Sequence, residues 1–209
     1  MIYTVGSSRN NFLPLDGFRT RYIVDRPHDG ANIDGKNGHY CELTALYYMW
    51  KHETDSLCGL EHYRRYFYSG NHLLHREEAE EILSKDDIIL VPHHHPNHRT
   101  TYDWFLGAGK MQDFDKWLAL IHAAYPLFFE TMWNYCRSNL VYICNMFVAR
   151  KELIDEYCSW IFPLLAKYDS LVGLTSANRR IDGYLAEHTL GAWCWWKKLR
   201  IHGGRMHMP

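Results

Sequence analysis

The first half of the chain alternates short β-branched and aromatic segments with amphipathic helical ones, and that alternation leaves few architectures open. Ile2-Tyr3-Thr4-Val5 and Arg21-Tyr22-Ile23-Val24 read as strands, the second stopped before Pro27. A helix is expected from about His39 to His52, where Tyr40, Leu43, Tyr47 and Trp50 recur at helical spacing. Asp55 to Leu60 reads as a short buried strand, Arg76 to Leu83 as an acidic helix, and Asp87 to Val91 as a strand closed by Pro92. Strands alternating with helices pack as an α/β fold, with a mostly parallel central sheet flanked by helices. No Pro/Gly/Ser-rich linker or change of composition divides the chain, so a single domain over residues 1–209 is expected.

The second half is richer in helix. Met111, Phe114, Leu118, Ile121 and Tyr125 keep a helical stripe, and Pro126 suits the first position of the next helix. Val141 to Val148 reads as a strand with one conspicuous polar residue, Asn145. A buried amide must find partners, so Asn145 either ties two backbone segments together or faces a ligand. A helix is expected from Lys151 to Tyr168, kinked or broken at Pro163. The last helix should begin near Asp182-Gly183 and run to Lys198, with Arg179, Arg180, Asp182 and Glu187 gathered near its start.

Charge and cysteine usage narrow the function classes. A formal net charge of -1 excludes the broad basic field of a nucleic-acid binder, so any phosphate recognition must be local. The six cysteines form no C-x-x-C pair and read as buried free thiols of a reduced compartment. Met1-Ile2-Tyr3-Thr4-Val5 lacks the basic and apolar regions of a signal peptide, and no apolar run approaches a membrane span. A cytoplasmic protein is expected, and the aromatic, basic C-terminal segment could lie against the inner membrane.

The stretch Gly59-Leu60-Glu61-His62-Tyr63-Arg64-Arg65-Tyr66-Phe67 concentrates cation, imidazole and ring behind a buried strand. Adjacent arginines offer planar donor forks matched to phosphate oxygens, while His62 and Tyr63 add hydrogen bonds and a stacking face. The equal alternative places Tyr63, Tyr66 and Phe67 in the core and leaves Arg64 and Arg65 solvated. Upstream, Asn32, Asp34 and Asn37 stand in a polar, glycine-rich loop, either at a ligand's edge or as turn and cap residues. Asn37 suits a helix N-cap, and Glu42 falls in the dipole-favoured first part of that helix. Gly6-Ser7-Ser8, at a strand's end, could admit a ligand to the backbone or simply turn the chain.

Two metal readings arise. His93-His94-His95-Pro96-Asn97-His98 leaves a strand as a loop, where consecutive histidines cannot all face one ion, so it reads as a loop near an acceptor site. Asp113-Phe114-Asp115 has the spacing of a metal-holding D-x-D pair but falls inside the amphipathic helix, where both carboxylates are solvated. Local arginines, amides and carboxylates on a mostly parallel sheet suit a nucleotide-sugar transferase, which must stabilise a departing diphosphate and activate an acceptor hydroxyl. Arginine and histidine could supply the charge that a divalent ion supplies elsewhere. Glu61 leaves manganese or magnesium open.

Asn37-x-x-Tyr40-Cys41-Glu42-Leu43-Thr44-Ala45-Leu46-Tyr47, the His62-Tyr63-Arg64-Arg65 element, Asn145-Met146-Phe147, and Arg180-x-x-Gly183-Tyr184-Leu185-x-Glu187 together resemble a bacterial family. That family, once catalogued as a domain of unknown function, occurs in capsular and exopolysaccharide clusters and is regarded as GT-A-like glycosyltransferases. The resemblance implies a GT-A-like α/β domain that binds a UDP-sugar, with galactose or galactofuranose as the sugar and a glycan or lipid-linked glycan as the acceptor. It further implies Arg64 and Arg65 on the diphosphate, His62 and Asn145 orienting sugar or pyrophosphate, and Asn32 and Asn37 on the nucleotide side. Tyr63 and Arg180 join the donor site. Glu187 is the candidate base and Asp182 the second. The chain departs from the family where Ser7-Ser8-Arg9 replaces a His-Lys pair, near Gly107-Ala108-Gly109 where a histidine is usual, and at His188 where an arginine is usual. These departures keep open a nucleotide-sugar-binding module without catalysis, while a zinc hydrolase on the histidine loop is the remaining alternative.

Overall fold

The computed structural model describes residues 1–209, the side chain of His98 apart. The chain runs β1 (Ile2–Gly6), β2 (Arg19–Ile23), α1 (Asn37–Tyr40), α2 (Leu43–His52), β3 (Leu57–His62), β4 (Tyr66–Ser69), β5 (His72–Leu73) and α3 (Arg76–Leu83). It continues through β6 (Ile88–His94), α4 (Thr101–Gly107), α5 (Met111–Ala124), α6 (Pro126–Cys136), β7 (Leu140–Arg150), α7 (Lys151–Val172), α8 (Ile181–Trp196), β8 (Ile201–Gly203) and β9 (Arg205–His207).

Six strands form the central sheet in the order β2-β1-β3-β7-β6-β8, with β7 running against the other five. This is the mostly parallel α/β sheet that the alternation of elements predicts. The period of two along each strand divides the core. Tyr3, Val5, Leu60, Ile88, Leu90 and Phe147 pack with the larger helical layer, while Ile2, Ile89, Val91, Met146 and Val148 pack with α3 and a small β5-β4-β9 sheet. Four of the short strands, β4, β5, β8 and β9, escape sequence reading because two to four residues are too few to show a period. On the helical side, a Cβ at Gly191 of α8 would lie 2.2 Å from the Tyr135 hydroxyl of α6. The bare glycine lets the two helices close, and that hydroxyl accepts the Tyr142 N–H at 3.0 Å.

Four expectations need correction. The helix drawn from His39 to His52 is two helices, because Cys41 adopts φ 51° and ψ -127° and breaks it. Asn37 opens α1 without making a side-chain cap. Pro92 does not close β6, which runs on to His94. Pro92 is exposed and sits at a shift of register against β7, where a missing N–H costs no ladder bond. Nor does Pro163 end α7, which continues to Val172. Burial of Ile161, Phe162, Leu164 and Leu165 around it offsets the lost backbone bond.

Candidate active site

β1 lies between β2 and β3, the chain passing from β1 to β2 on one side and from β2 back across β1 to β3 on the other, and crevices form beyond strand ends where the strand order reverses in this way. A cleft of about 790 Å³ opens there. Gly6 and Ser7 border it from the end of β1, His62 to Arg65 from the end of β3, Cys41 and Glu42 from the α1–α2 break, and Arg179, Arg180, Gly183, Tyr184 and Glu187 from the start of α8. A Cβ on Gly6 would come within 2.7 Å of the Phe12 ring and 3.0 Å of Tyr63 Cβ, so the strand end must be bare.

Backbone strain gathers around this cleft. Of the non-glycine residues with positive φ, Cys41 (51°), Cys144 (69°), Asn145 (50°) and Arg180 (66°) form or back its wall. Such conformations cost about 1–3 kcal/mol each and persist where the surroundings over-determine them. In β7, Pro92 pairs with Tyr142 and Leu90 with Phe147, so residues 143–146 bulge out of the ladder. The bulge turns the Asn145 amide away from the sheet. Its Nδ2 donates to Glu42 Oε1 at 2.7 Å and to the Gly183 carbonyl at 3.0 Å. It also presents the Cys144 carbonyl to His62 Nε2 at 2.8 Å. A carbonyl only accepts, so His62 carries its proton on Nε2 in this contact.

The charges in the cleft do not neutralise one another. The arginines that form ion pairs are Arg19, Arg76 and Arg200, all outside it. Among the described residues, Arg64, Arg65, Arg179 and Arg180 make no ion pair, and neither do Glu42 and Glu187. Tyr63 and Tyr184 offer ring faces, with the Arg64 and Arg180 guanidinium carbons 5.7 and 5.4 Å from the respective centroids. Burial, and after it the Glu42 charge, pushes Glu187 up to about 8, against the pull of the Cys144 N–H, Arg65 and Arg180. Burial also raises the Cys41 thiol to about 11 and Cys144 to about 12, so both are neutral walls rather than nucleophiles.

A domain of unknown function designated DUF4422 matches residues 5–198. The chain belongs to this family. No curated protein matches it. This DUF4422 chain superposes on the apo structure of the bifunctional glycosyltransferase WbbM with a TM-score of 0.82, at 22% identity, over 99% of its own length and 45% of that chain. It shares that fold, as the GT-A-like expectation requires, and spans less than half of that protein.

In the DUF4422 chain, the cleft brings together Asn37, His62, Tyr63, Arg64, Arg65, Arg180 and Glu187. Asn145 stands behind the wall, 3% exposed, with its amide hydrogens spent on Glu42 and Gly183. Asn32 is not brought to the cleft. Its amide donates to the His28 and Gly30 carbonyls at 2.7 and 3.1 Å and closes its own loop. Asp182 is fully buried, and its oxygens and Asp169 Oδ1 find no donor among the described residues. Burial, with Asp169 beside it, raises Asp182 well above the usual carboxylate range, so it holds a proton that it can share with Asp169. Geometry therefore gives Asp182 no path to an acceptor hydroxyl. Glu61 does not face the cleft either. Its Oε1 accepts from Thr4 Oγ1 at 2.8 Å and Arg19 Nε at 2.9 Å, and its Oε2 from the Phe67 N–H at 3.2 Å.

No group of three or more His, Cys, Asp or Glu among the described residues could hold a metal ion. In the histidine loop, His93 and His94 are exposed and the side chain of His98 lies outside the described residues. Asp113 and Asp115 stand on α5, as read from their spacing, with Asp113 accepting from the Tyr168 hydroxyl at 3.0 Å. The arginine stretch divides between its two readings: Tyr66 and Phe67 are core, while Tyr63, Arg64 and Arg65 line the cleft. Sequence reasoning missed Glu42, Tyr184 and Arg179 as cleft residues. A signal existed in the second Arg-Arg pair at 179–180 and in the Cys41-Glu42 element. Glu42 reads from sequence only as a helix-stabilising carboxylate because the break at Cys41 has no mark in sequence.

Proposed function

We propose that the protein is a hexosyltransferase that moves a sugar, galactose or galactofuranose, from a UDP-sugar to a glycan or lipid-linked glycan acceptor in bacterial surface polysaccharide synthesis, with residues 1–209 as one catalytic domain. The observation that carries this reading is the cleft beyond the ends of β1 and β3, lined by four arginines and two carboxylates that form no ion pair among the described residues. Unpaired guanidinium groups suit a diphosphate, and unpaired carboxylates suit hydroxyl donors. A nucleotide sugar carries both. Arg64 and Arg65 hold the diphosphate, His62 its sugar side, and Tyr63 and Asn37 the nucleoside. Glu187 takes the acceptor proton, since a base poised near 8 accepts it at little cost and releases it to water. The likeness in fold to a glycosyltransferase supports the same reading.

Of the departures that keep a binding module open, the one at His188 lies away from the cleft and leaves Glu187 in place, whereas Ser7 borders it. His188 is 2% exposed and neutral, held well below its usual range by burial, and it contacts Thr101 Oγ1 at 3.3 Å. Trp195 and Trp196, 37% and 38% exposed beside Lys197 and Lys198, support docking on a membrane surface where a lipid-linked acceptor would lie. No described helix is long and apolar enough to cross a membrane.

Calorimetric titration with UDP and UDP-galactose, each with and without manganese, tests the proposal. Metal-independent binding that is lost in Arg64→Ala is expected. Glu187→Gln should bind the donor as before and fail to transfer, and wild-type rates should rise with pH toward about 8. No binding of any uridine nucleotide removes the reading.

A further inference from the structure

The two cleft carboxylates are built differently. Glu187 sits within α8, whereas Glu42 stands at the N-cap position of α2, directly after the left-handed Cys41. The left-handed pair Cys144 and Asn145 supplies its partner, so two separate breaks in regular structure meet at one hydrogen bond of 2.7 Å. Strain at three non-glycine residues is a large outlay for orienting one side chain. Because the Asn145 amide is fully spent on Glu42 and Gly183, it donates nothing to a ligand and acts only through the carboxylate.

Glu42 Oε1 is thereby held, and among the described residues no side chain donates to Oε2. A carboxylate oxygen accepts and does not donate, so it offers nothing to phosphate oxygens, which the arginine forks suit. What it accepts is neutral O–H. On the nucleotide-sugar reading, the part of the ligand rich in such donors beyond the diphosphate is the transferred sugar. We propose that Glu42 is a specificity residue of this site, accepting hydrogen bonds from ring hydroxyls of the donor sugar through the oxygen that Asn145 leaves free. This rests on the function proposed above and deepens it: the substrate class is a sugar nucleotide recognised by its hydroxyls as well as by its phosphates. A site built to bind a hydroxyl discriminates strongly, because its buried acceptor stays unpaired when that hydroxyl is missing.

The test compares UDP with UDP-galactose by calorimetry on wild type, Glu42→Gln and Glu42→Asp. Glu42→Gln keeps the shape and an oxygen for Asn145, and UDP binding itself reports that the cleft is intact. The expected result is UDP affinity within about twofold of wild type in both variants, with UDP-galactose weakened by roughly tenfold or more. Equal weakening of both ligands would make Glu42 a structural or nucleotide-side residue and overturn the assignment. Unchanged UDP-galactose affinity would overturn it as well. Wild type that binds neither ligand removes the nucleotide-sugar reading together with this one, whereas failure confined to the variants removes the Glu42 assignment alone.

Discussion

Arg19 and Glu61 form an ion pair with 1% and 0% of their side chains exposed, and its hydrogen bonds are nearly complete. Beyond Glu61, the guanidinium donates to Asp16 and to the Leu74 carbonyl at 3.1 Å. Breaking such a pair leaves one buried charge uncompensated, which costs more than the intact pair contributes. Arg19→Met should therefore destabilise the protein by about 3–5 kcal/mol in urea unfolding, and the double variant Arg19→Met/Glu61→Gln should recover part of the loss. A double variant no better than the single would show that Glu61 is not held by Arg19. In sequence, Glu61 sits beside His62 and the arginines and reads as a potential metal ligand. The pleat of β3 decides otherwise, because neighbouring side chains on a strand face opposite sides of the sheet. The partner that claims Glu61 lies on β2, and no local pattern announces it.

At the level of elements, the cleft is made where regular structure stops. From sequence Asn145 fits either a backbone tie or a ligand contact, and the bulge in β7 gives it the tie. Its cost is set by two successive residues with positive φ. Cys144→Gly can adopt φ 69° freely, whereas Cys144→Val adds a β-branched side chain to a conformation that disfavours it. Valine should be the less stable variant by about 1–3 kcal/mol in chemical denaturation, despite burying more apolar surface than glycine. The reverse order would mean that the bulge carries no strain. The break at Cys41 is equally silent in sequence, since the apolar spacing runs from α1 into α2 without interruption.

Across the whole molecule, buried carboxyls set the response to alkali. In the folded protein burial raises Asp182, next to Asp169, well above the usual carboxylate range, and Glu187, next to Glu42, up to about 8. In the unfolded chain both ionise near 4, so between about 4 and 8 the folded state holds two protons that the unfolded state has released, and stability falls as pH rises. His188 works in the opposite sense. Burial lowers it to about 3, so it adds stability as pH rises to its unfolded value near 6.5. The net fall should therefore be clearest from about pH 6.5 to 8, and calorimetric melting across that range should show it. Asp182→Asn, whose amide can donate to Asp169 at any pH, should roughly halve the slope. A flat melting temperature across the window would mean that neither carboxyl keeps its proton.

Sequence alone determined the α/β class, most element positions, and three of the four cleft arginines, Arg64, Arg65 and Arg180, because hydrophobic periods of two and 3.6 and the pairing of arginines are local properties of the chain. It also named Glu187. Tertiary structure decided which polar residues meet. It withdrew Asn32 into its own loop, buried Asp182 and Glu61, and brought Glu42 to the wall through an amide 103 positions away. Periodicity reports which face of an element is apolar. Which buried polar group finds which partner is settled only when strands and helices from distant parts of the chain close around the same space, where an unpaired polar group costs more than the strain needed to pair it.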